Sequence, residues 1–218
     1  MAESVTLEGV VEWIATSAAR IEEHKAYLTR LDSDIGDADH GINMSRGFKA
    51  AVEKLAASPP TDISVALGGV GMTMVAKVGG ASGPLYGTMF IEMGKAAAGK
   101  ETLSAGDWAA VLGAGVAGIQ RRGKAEPGDK TMVDALLPAI DALDKAVAAG
   151  SPLDEALAGS AEAARQGMEG TIPLVARKGR ASYLGERSAG HQDPGATSTH
   201  LLLQAAADAW SDDSTKES

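Results

Sequence analysis

The stretch Leu7 to Leu31, LEGVVEWIATSAARIEEHKAYLTRL, decides the fold class. Its apolar residues Leu7, Val10, Val11, Ile14, Ala18 and Ile21 recur at the spacing of one helical face, and Leu28 carries the stripe on to Leu31. One long amphipathic helix is expected there. The same period returns over residues 42–57, 64–78, 84–98, 105–122, 132–149, 153–169 and 196–210, which makes about eight helices and no strand. Composition agrees: only 4% of the 218 residues are aromatic, while Ala and Gly are abundant, a mixture that suits closely packed helices better than a β-sandwich. The fold class is all-α.

Ser104 with Asp107, Thr131 with Asp134, and Ser151 with Asp154 each place a hydroxyl three residues before a carboxylate, close to a capping box, and Pro152 suits a first helical position. Gly99, Gly123, Gly150 and Gly170 follow helical runs and read as stops. One domain is expected over residues 1–210, with 211–218 as a frayed tail. Between Thr171 and Gly195 the period fails. That stretch carries Arg177, Lys178, Arg180 and Arg187 among spaced glycines, which favours a lid over an anion rather than simple disorder.

The absence of cysteine excludes disulfides, thiolate zinc sites and a cysteine nucleophile. The N-terminus lacks a basic segment followed by an apolar block, and no run of roughly 18 apolar residues occurs, so a cytoplasmic protein is expected. A formal net charge of −9 argues against nucleic-acid and anionic-membrane partners. A phosphorylated small ligand would need a local cation, either Arg/Lys or a metal.

Such a cation has a natural place in Leu31 to Met44, LDSDIGDADHGINM. Asp37 and Asp39 would diverge on a continuous helix at about 100° per residue, so they converge only on a turn, which Gly36 and Gly41 are expected to supply. Carboxylates about 5 Å apart repel by roughly 3 kcal/mol per pair at an effective dielectric near 20. A hard divalent cation held by oxygen ligands, as magnesium is beside a nucleotide, relieves that repulsion. The alternative is that Asp37 or Asp39 caps the next helix and the others are solvated. An EF-hand fits poorly, because counting from Asp32 its fifth position is Gly36 and its twelfth Asn43.

Glycine motifs need sorting. Gly94 to Lys100 and Gly118 to Lys124 have Walker A spacing, but Glu101 and Ala125 stand where Ser or Thr is required, and both motifs end helices. Gly79 to Leu85, GGASGPL, precedes a predicted helix and offers backbone N–H groups, as a phosphate cradle or as a site of close helix packing. Gly123 to Met132 reads as a polar connection that ends in a core methionine.

Together the blocks LDSDIGDADHGINM (31–44), GGASGPLYG (79–87), RGKAEPGDKTM (122–132) and GRASYLGERSAGHQDPGATS (179–198) resemble the L subunit, or L domain, of dihydroxyacetone kinases, in that family's order and over most of the chain. The resemblance implies a barrel of eight mainly antiparallel helices with ADP or ATP at one end. It implies that Asp32, Asp37 and Asp39 bind two Mg2+ ions that bridge the phosphates. His40, Gly41, Ile42 and Asn43 would line the nucleotide, Ala81 and Ser82 would contact phosphate, Gly123 and Met132 would border the base, and Arg180 with Asp193, Pro194 and Gly195 would close the site. No nucleophile is then needed from this chain, because dihydroxyacetone is held by a separate K subunit. The phosphoryl donor would be an M subunit of a phosphoenolpyruvate-dependent phosphotransferase system, or free ATP, and a free-standing L chain favours the former. Rival expectations are an ATP-dependent kinase subunit for another ketose or small substrate and, in a different class, a non-catalytic metal-stabilised helical scaffold.

Overall fold

In a computed structural model, residues 4–211 are described, so the tail expected over 211–218 lies outside the described residues except for Ser211. Among the described residues the helices are α1 (Leu7–Glu23), α2 (Lys25–Ile35), α3 (His40–Ala57), α4 (Ile63–Lys77), α5 (Ser82–Ala96), α6 (Ala105–Gly123), α7 (Val133–Ala149), α8 (Leu153–Gly170) and α9 (Pro194–Trp210), with a 3-10 segment at Arg180–Ser188. None of them is long and apolar enough to cross a membrane.

The packing order closes on itself. Helix α3 lies against α4, α4 against α5, and so on to α9, while α1 packs on both α9 and α3. Successive barrel helices run antiparallel, through short connections except for the long stretch between α8 and α9, so eight helices form a closed barrel and α2 extends from the end of α1. The seam between first and last helices is pinned by polar bonds. Trp13 Nε1 donates to the Leu202 carbonyl at 2.9 Å, Trp210 Nε1 donates to that of Gly9 at 2.8 Å, and Arg20 pairs with Asp208. An antiparallel bridge between Val5 and Leu103 ties the N-terminal segment to the start of α6.

All three tryptophans and both phenylalanines fill the interior as one cluster. Trp108 stands edge-on to Trp13 and to Trp210, with centroids at 5.1 and 4.8 Å, while Phe90 touches Trp13 at 5.7 Å and Phe48 at 6.2 Å. Elsewhere the barrel closes through small residues. A Cβ on Gly71 would come 2.7 Å from the Gly87 carbonyl oxygen, so α4 and α5 run nearly backbone to backbone.

Several local expectations need correction. The first predicted helix is two helices, because His24 leaves the helical region (φ −92°, ψ 7°) and its Nδ1 sits 2.9 Å from the Arg20 carbonyl, competing with the backbone ladder. Ser104 and Asp107 form the full capping box. Ser151 caps nothing, and Pro152 sits one position before the first helical residue, Leu153. Asp134 accepts instead from the Thr131 and Gly128 backbone N–H groups, which organises the turn before α7. After α6 the left-handed position falls on Lys124 (φ 50°), not Gly123.

Trp13→Ala should remove three aromatic contacts, to Phe90, Trp108 and Trp210, open a cavity and abolish the bond to Leu202, for a loss of about 3–5 kcal/mol in urea denaturation. A loss under about 1 kcal/mol would show that the aromatic cluster does not hold the barrel.

Candidate functional site

Antiparallel alternation sends the N-termini of α3, α5, α7 and α9 to the same end of the barrel. Their first residues, His40, Ser82, Val133 and Pro194, all line one cleft of about 430 Å³. Each helix start carries partial positive charge, a setting that favours an anion.

The aspartate turn crosses this end. Asp32 is buried in the last turn of α2, and its Oδ2 accepts from the backbone N–H groups of Asp39 (2.8 Å) and His40 (3.0 Å). It therefore caps α3 from outside that helix. Asp39 occupies the N-cap position yet makes no side-chain cap bond, which leaves its carboxylate available and removes the simple capping explanation. Asp37 is exposed and its Oδ2 meets Arg180 Nε at 2.8 Å. Asp32, Asp37 and Asp39 each offer an oxygen within 4.8 Å of the others. The sharp backbone position is Ala38 (φ 60°) rather than Gly41, which lies inside α3 where a Cβ would collide with the Lys25 carbonyl. Gly36 matters for a different reason: a Cβ there would collide with Asp32 Oδ1, the oxygen not used in capping. An all-oxygen set with one such protected atom fits a hard divalent cation.

His40 is buried, with Nδ1 3.1 Å from Ser82 Oγ and Nε2 2.9 Å from Ser198 Oγ. Burial pulls its pKa down to about 4, against the opposing charges of Asp32, Asp39 and Asp37. Neutral imidazole has one donor and one acceptor nitrogen, matching its two hydroxyl neighbours. Ser198 continues the chain of bonds to Tyr86 OH at 2.7 Å, which also contacts Thr199 Oγ1 at 2.9 Å and donates to the Gly195 carbonyl at 3.0 Å. Burial pushes the Tyr86 phenol up to about 12.

The opposite wall is the turn Gly79, Gly80 (φ 64°), Ala81 and Ser82. Leu85, Ile119, Met132 and Val133 supply an apolar patch beside Gly123, and Arg122, Lys178 and Arg180 supply positive charge at the rim. Of the expected residues, Asp32, Asp37, Asp39, His40, Ala81, Ser82, Gly123, Met132, Arg180, Asp193, Pro194 and Gly195 do line the cleft. Gly41, Ile42 and Asn43 do not. Successive helical residues turn by about 100°, so with His40 facing the cleft Gly41 and Ile42 face elsewhere, while Asn43, three residues on, keeps to the side of His40 but is covered by the turn at Gly79. Gly41 packs on α2, Ile42 is exposed, and Asn43 lies under Gly79 while accepting from Arg46 at 2.6 Å. Asp193 caps α9 by accepting from the Ala196 N–H at 2.7 Å, and burial pushes its carboxyl up to about 7. Leu85, Ile119, Val133, Arg122 and Lys130 of this lining were not singled out from sequence, although Leu85, Arg122 and Lys130 stand within quoted blocks; Met132 and Lys178 were, as a border of the base and as part of the basic loop.

Comparison with known proteins is consistent with this geometry. The DAK2 domain model matches residues 34–208. The chain is 44% identical over 201 residues to the ADP-binding subunit DhaL of the PEP-dependent dihydroxyacetone kinase of Escherichia coli (strain K12), covering 92% of this chain and 96% of that protein. It is 47% identical over 189 residues to the corresponding subunit of dihydroxyacetone kinase 2 of Listeria innocua, covering 85% and 86%. A crystal structure of the dihydroxyacetone kinase from C. freundii in complex with AMP-PNP and Mg2+ superposes with a TM-score of 0.70 at 25% identity over 93% of this chain. The chain spans about a third of that longer protein, 33% of its length.

Over the cleft, the basic stretch after α8 is wound into the 3-10 segment, and Ala176 and Ala181 pack on Ile35 of α2. Its two stems are joined by Lys130, a fully buried lysine in a left-handed conformation (φ 62°). Lys130 Nζ donates to the carbonyls of Thr171 (2.8 Å), Ile172 (3.3 Å) and Leu174 (3.1 Å) on one stem and of His191 (2.5 Å) on the other. Burial lowers its pKa, opposed by the Asp193 carboxylate. Lys130→Met should cost about 3 kcal/mol in urea denaturation, because four carbonyls lose a charged donor. It should also speed tryptic cleavage after Arg177, Lys178 and Arg180, as read by mass spectrometry. Unchanged stability and cleavage would contradict the anchoring role.

Proposed function

The chain belongs to the DAK2 domain family, among the L subunits of dihydroxyacetone kinases, and from that membership we propose that it is the nucleotide-binding subunit of a phosphotransferase. In this reading it holds ADP or ATP with Mg2+ in the cleft, and the phosphoryl group passes to dihydroxyacetone presented by a separate K subunit. The observation that carries the reading is the meeting of three carboxylates within 4.8 Å at a cleft ringed by four helix N-termini. Acidic ligands alone would repel polyphosphate and helix ends alone would attract it; both together suit polyphosphate with divalent cations.

Asp32, Asp37 and Asp39 would hold two magnesium ions. Bound there, the ions supply charge neutralisation on the phosphate oxygens during transfer. The chain's own residues do the rest. The Gly79 to Ser82 turn offers backbone N–H groups and a hydroxyl at the start of α5. Leu85, Ile119, Met132 and Val133 give a base an apolar surface, bounded by Gly123, where a Cβ would press within 3.1 Å of Leu85. Arg180, carried by the loop over the cleft, can exchange its partner Asp37 for a phosphate oxygen. His40 orients Ser82 and stays neutral, so it adds no charge to the site and is not positioned as a base for the acceptor.

The similar subunits of E. coli and L. innocua are named PEP-dependent, which supports a phosphotransferase-system M subunit as donor, with the nucleotide retained and rephosphorylated. The acceptor's identity belongs to the K subunit, since this reading gives the L chain only the phosphate side of the reaction.

Mass spectrometry of the denatured purified protein should release ADP, and titration calorimetry of stripped protein should show Mg2+-dependent ADP binding. Asp37→Ala should weaken that binding by about 100-fold or more while the helical circular dichroism is kept, since a carboxylate ligand matters at least as much as the groups that orient one. Wild-type protein that binds no nucleotide even with Mg2+ would return the chain to the scaffold reading; unchanged ADP binding in Asp37→Ala would remove Asp37 from the metal set.

A further inference from the structure

Helix α4 is unlike the other barrel helices. From Ile63 to Ala76, ISVALGGVGMTMVA, it carries no charged side chain. Its inner face, Ile63, Ala66, Leu67, Val70 and Met74, is in the core. Its outer face leaves Val65 (52%), Met72 (60%) and Val75 (46%) exposed, and Gly68 and Gly69 between them have open space where a Cβ would stand. A helix apolar on all sides is normally covered on all sides.

At its C-terminal end the chemistry changes. Lys77, Lys25, Arg46 and Lys49 line an open depression of about 440 Å³ together with the exposed Ile42, and Glu53 is the one acidic residue lining it. Arg46 is held in place by the Lys77 carbonyl (2.8 Å) and Asn43, and Lys25 pairs with Glu22 at 3.4 Å, whereas among the described residues neither Lys49 nor Lys77 meets a carboxylate. A concentration of cations on a chain of net charge −9 is complementary to an acidic surface and not to the bulk of this protein's own. The patch also adjoins the cleft: Ile42 is two residues from His40, and Lys77 two residues before Gly79, both of which line it.

We propose that the outer face of α4 and the cation-lined depression at its end form the docking surface for the subunit that presents the phosphoryl acceptor, whose matching face is apolar at its centre and rich in carboxylates where it meets Lys25, Lys49 and Lys77. The proposal rests on the functional reading above, because a chain that supplies only the phosphate side must seat its partner beside the cleft mouth. An apolar centre with a charged rim is the anatomy of a lasting interface, which suits the acceptor subunit better than a briefly visiting donor.

The test uses full-length protein loaded with ADP and Mg2+ and the purified acceptor-holding subunit of the same system, with the dissociation constant measured by interferometry at several salt concentrations. Lys49→Glu with Lys77→Glu, and separately Met72→Glu, should each weaken binding about tenfold or more, and the charge-reversed pair should flatten the salt dependence. Lys145→Glu on α7 should have no effect, and ADP affinity should stay within about twofold of wild type in every variant. Equal partner affinity in wild type and variants would overturn the surface assignment. So would a loss confined to a phosphoryl-donor protein, or sedimentation showing that Met72→Glu abolishes self-association and leaves the partner unaffected. Wild-type protein that retains ADP but does not bind the acceptor subunit overturns this proposal alone, whereas wild type without nucleotide overturns the functional reading beneath it.

Discussion

Three carboxylates whose oxygens lie within 4.8 Å of one another set the terms for everything at the open end of the barrel. Repulsion of about 3 kcal/mol per pair, at an effective dielectric near 20, has to be met by positive charge. The fold supplies some of it. Asp32 Oδ2 takes the Asp39 and His40 N–H groups at the start of α3, and Arg180 reaches Asp37, so two of the three acids have a partner in the protein itself. Asp39 has no such bond at the cap position it occupies. The arrangement is thus held in place and left electrostatically incomplete, as capping alone would not leave it.

The barrel makes this arrangement possible through direction alone. An even number of helices alternating up and down around a closed ring puts four N-termini at each end. At the cleft these are the starts of α3, α5, α7 and α9, and they carry His40, Ser82, Val133 and Pro194 to the wall. Closure is therefore what brings these helix starts together, and the seam where the ring could open is pinned by two tryptophan N–H bonds and the Arg20–Asp208 pair joining α1 to α9. The tryptophans and phenylalanines, scarce in the sequence, are gathered together inside that ring, and small residues let α4 and α5 approach elsewhere.

What the sequence disclosed follows from how local each cause is. Helical stripes and the Ser104–Asp107 box depend on residues three and four apart, and both were legible. The crowded acids of Asp32 to Asp39 were legible because their repulsion arises within one turn. The break at His24 was not, since its stripe runs on unbroken and the cause is one side chain reaching the Arg20 carbonyl. Ile42 and Asn43 were placed at the cleft by the family resemblance, yet helical rotation turns Ile42 to solvent, and Asn43 is covered by the turn at Gly79. Lys130 stayed hidden for the opposite reason: its partners are 41 to 61 residues away, and nothing near it in sequence marks a lysine that will be buried.

Lys130 also bears on how the loop over the cleft works. A loop that must cover an anion needs basic residues at its tip and a fixed base, and these are conflicting demands, because a basic tip without its ligand is repelled by its own charge. Here the tip places Arg180 on Asp37, inside the acid cluster, while the base is gathered by a single ammonium group bonded to both stems. Because those four bonds go to backbone carbonyls, the anchor does not depend on which side chains the loop displays. The stems can stay closed while Arg180 leaves Asp37, so freeing the acid cluster needs one side chain to move and not the unfolding of the segment that carries it.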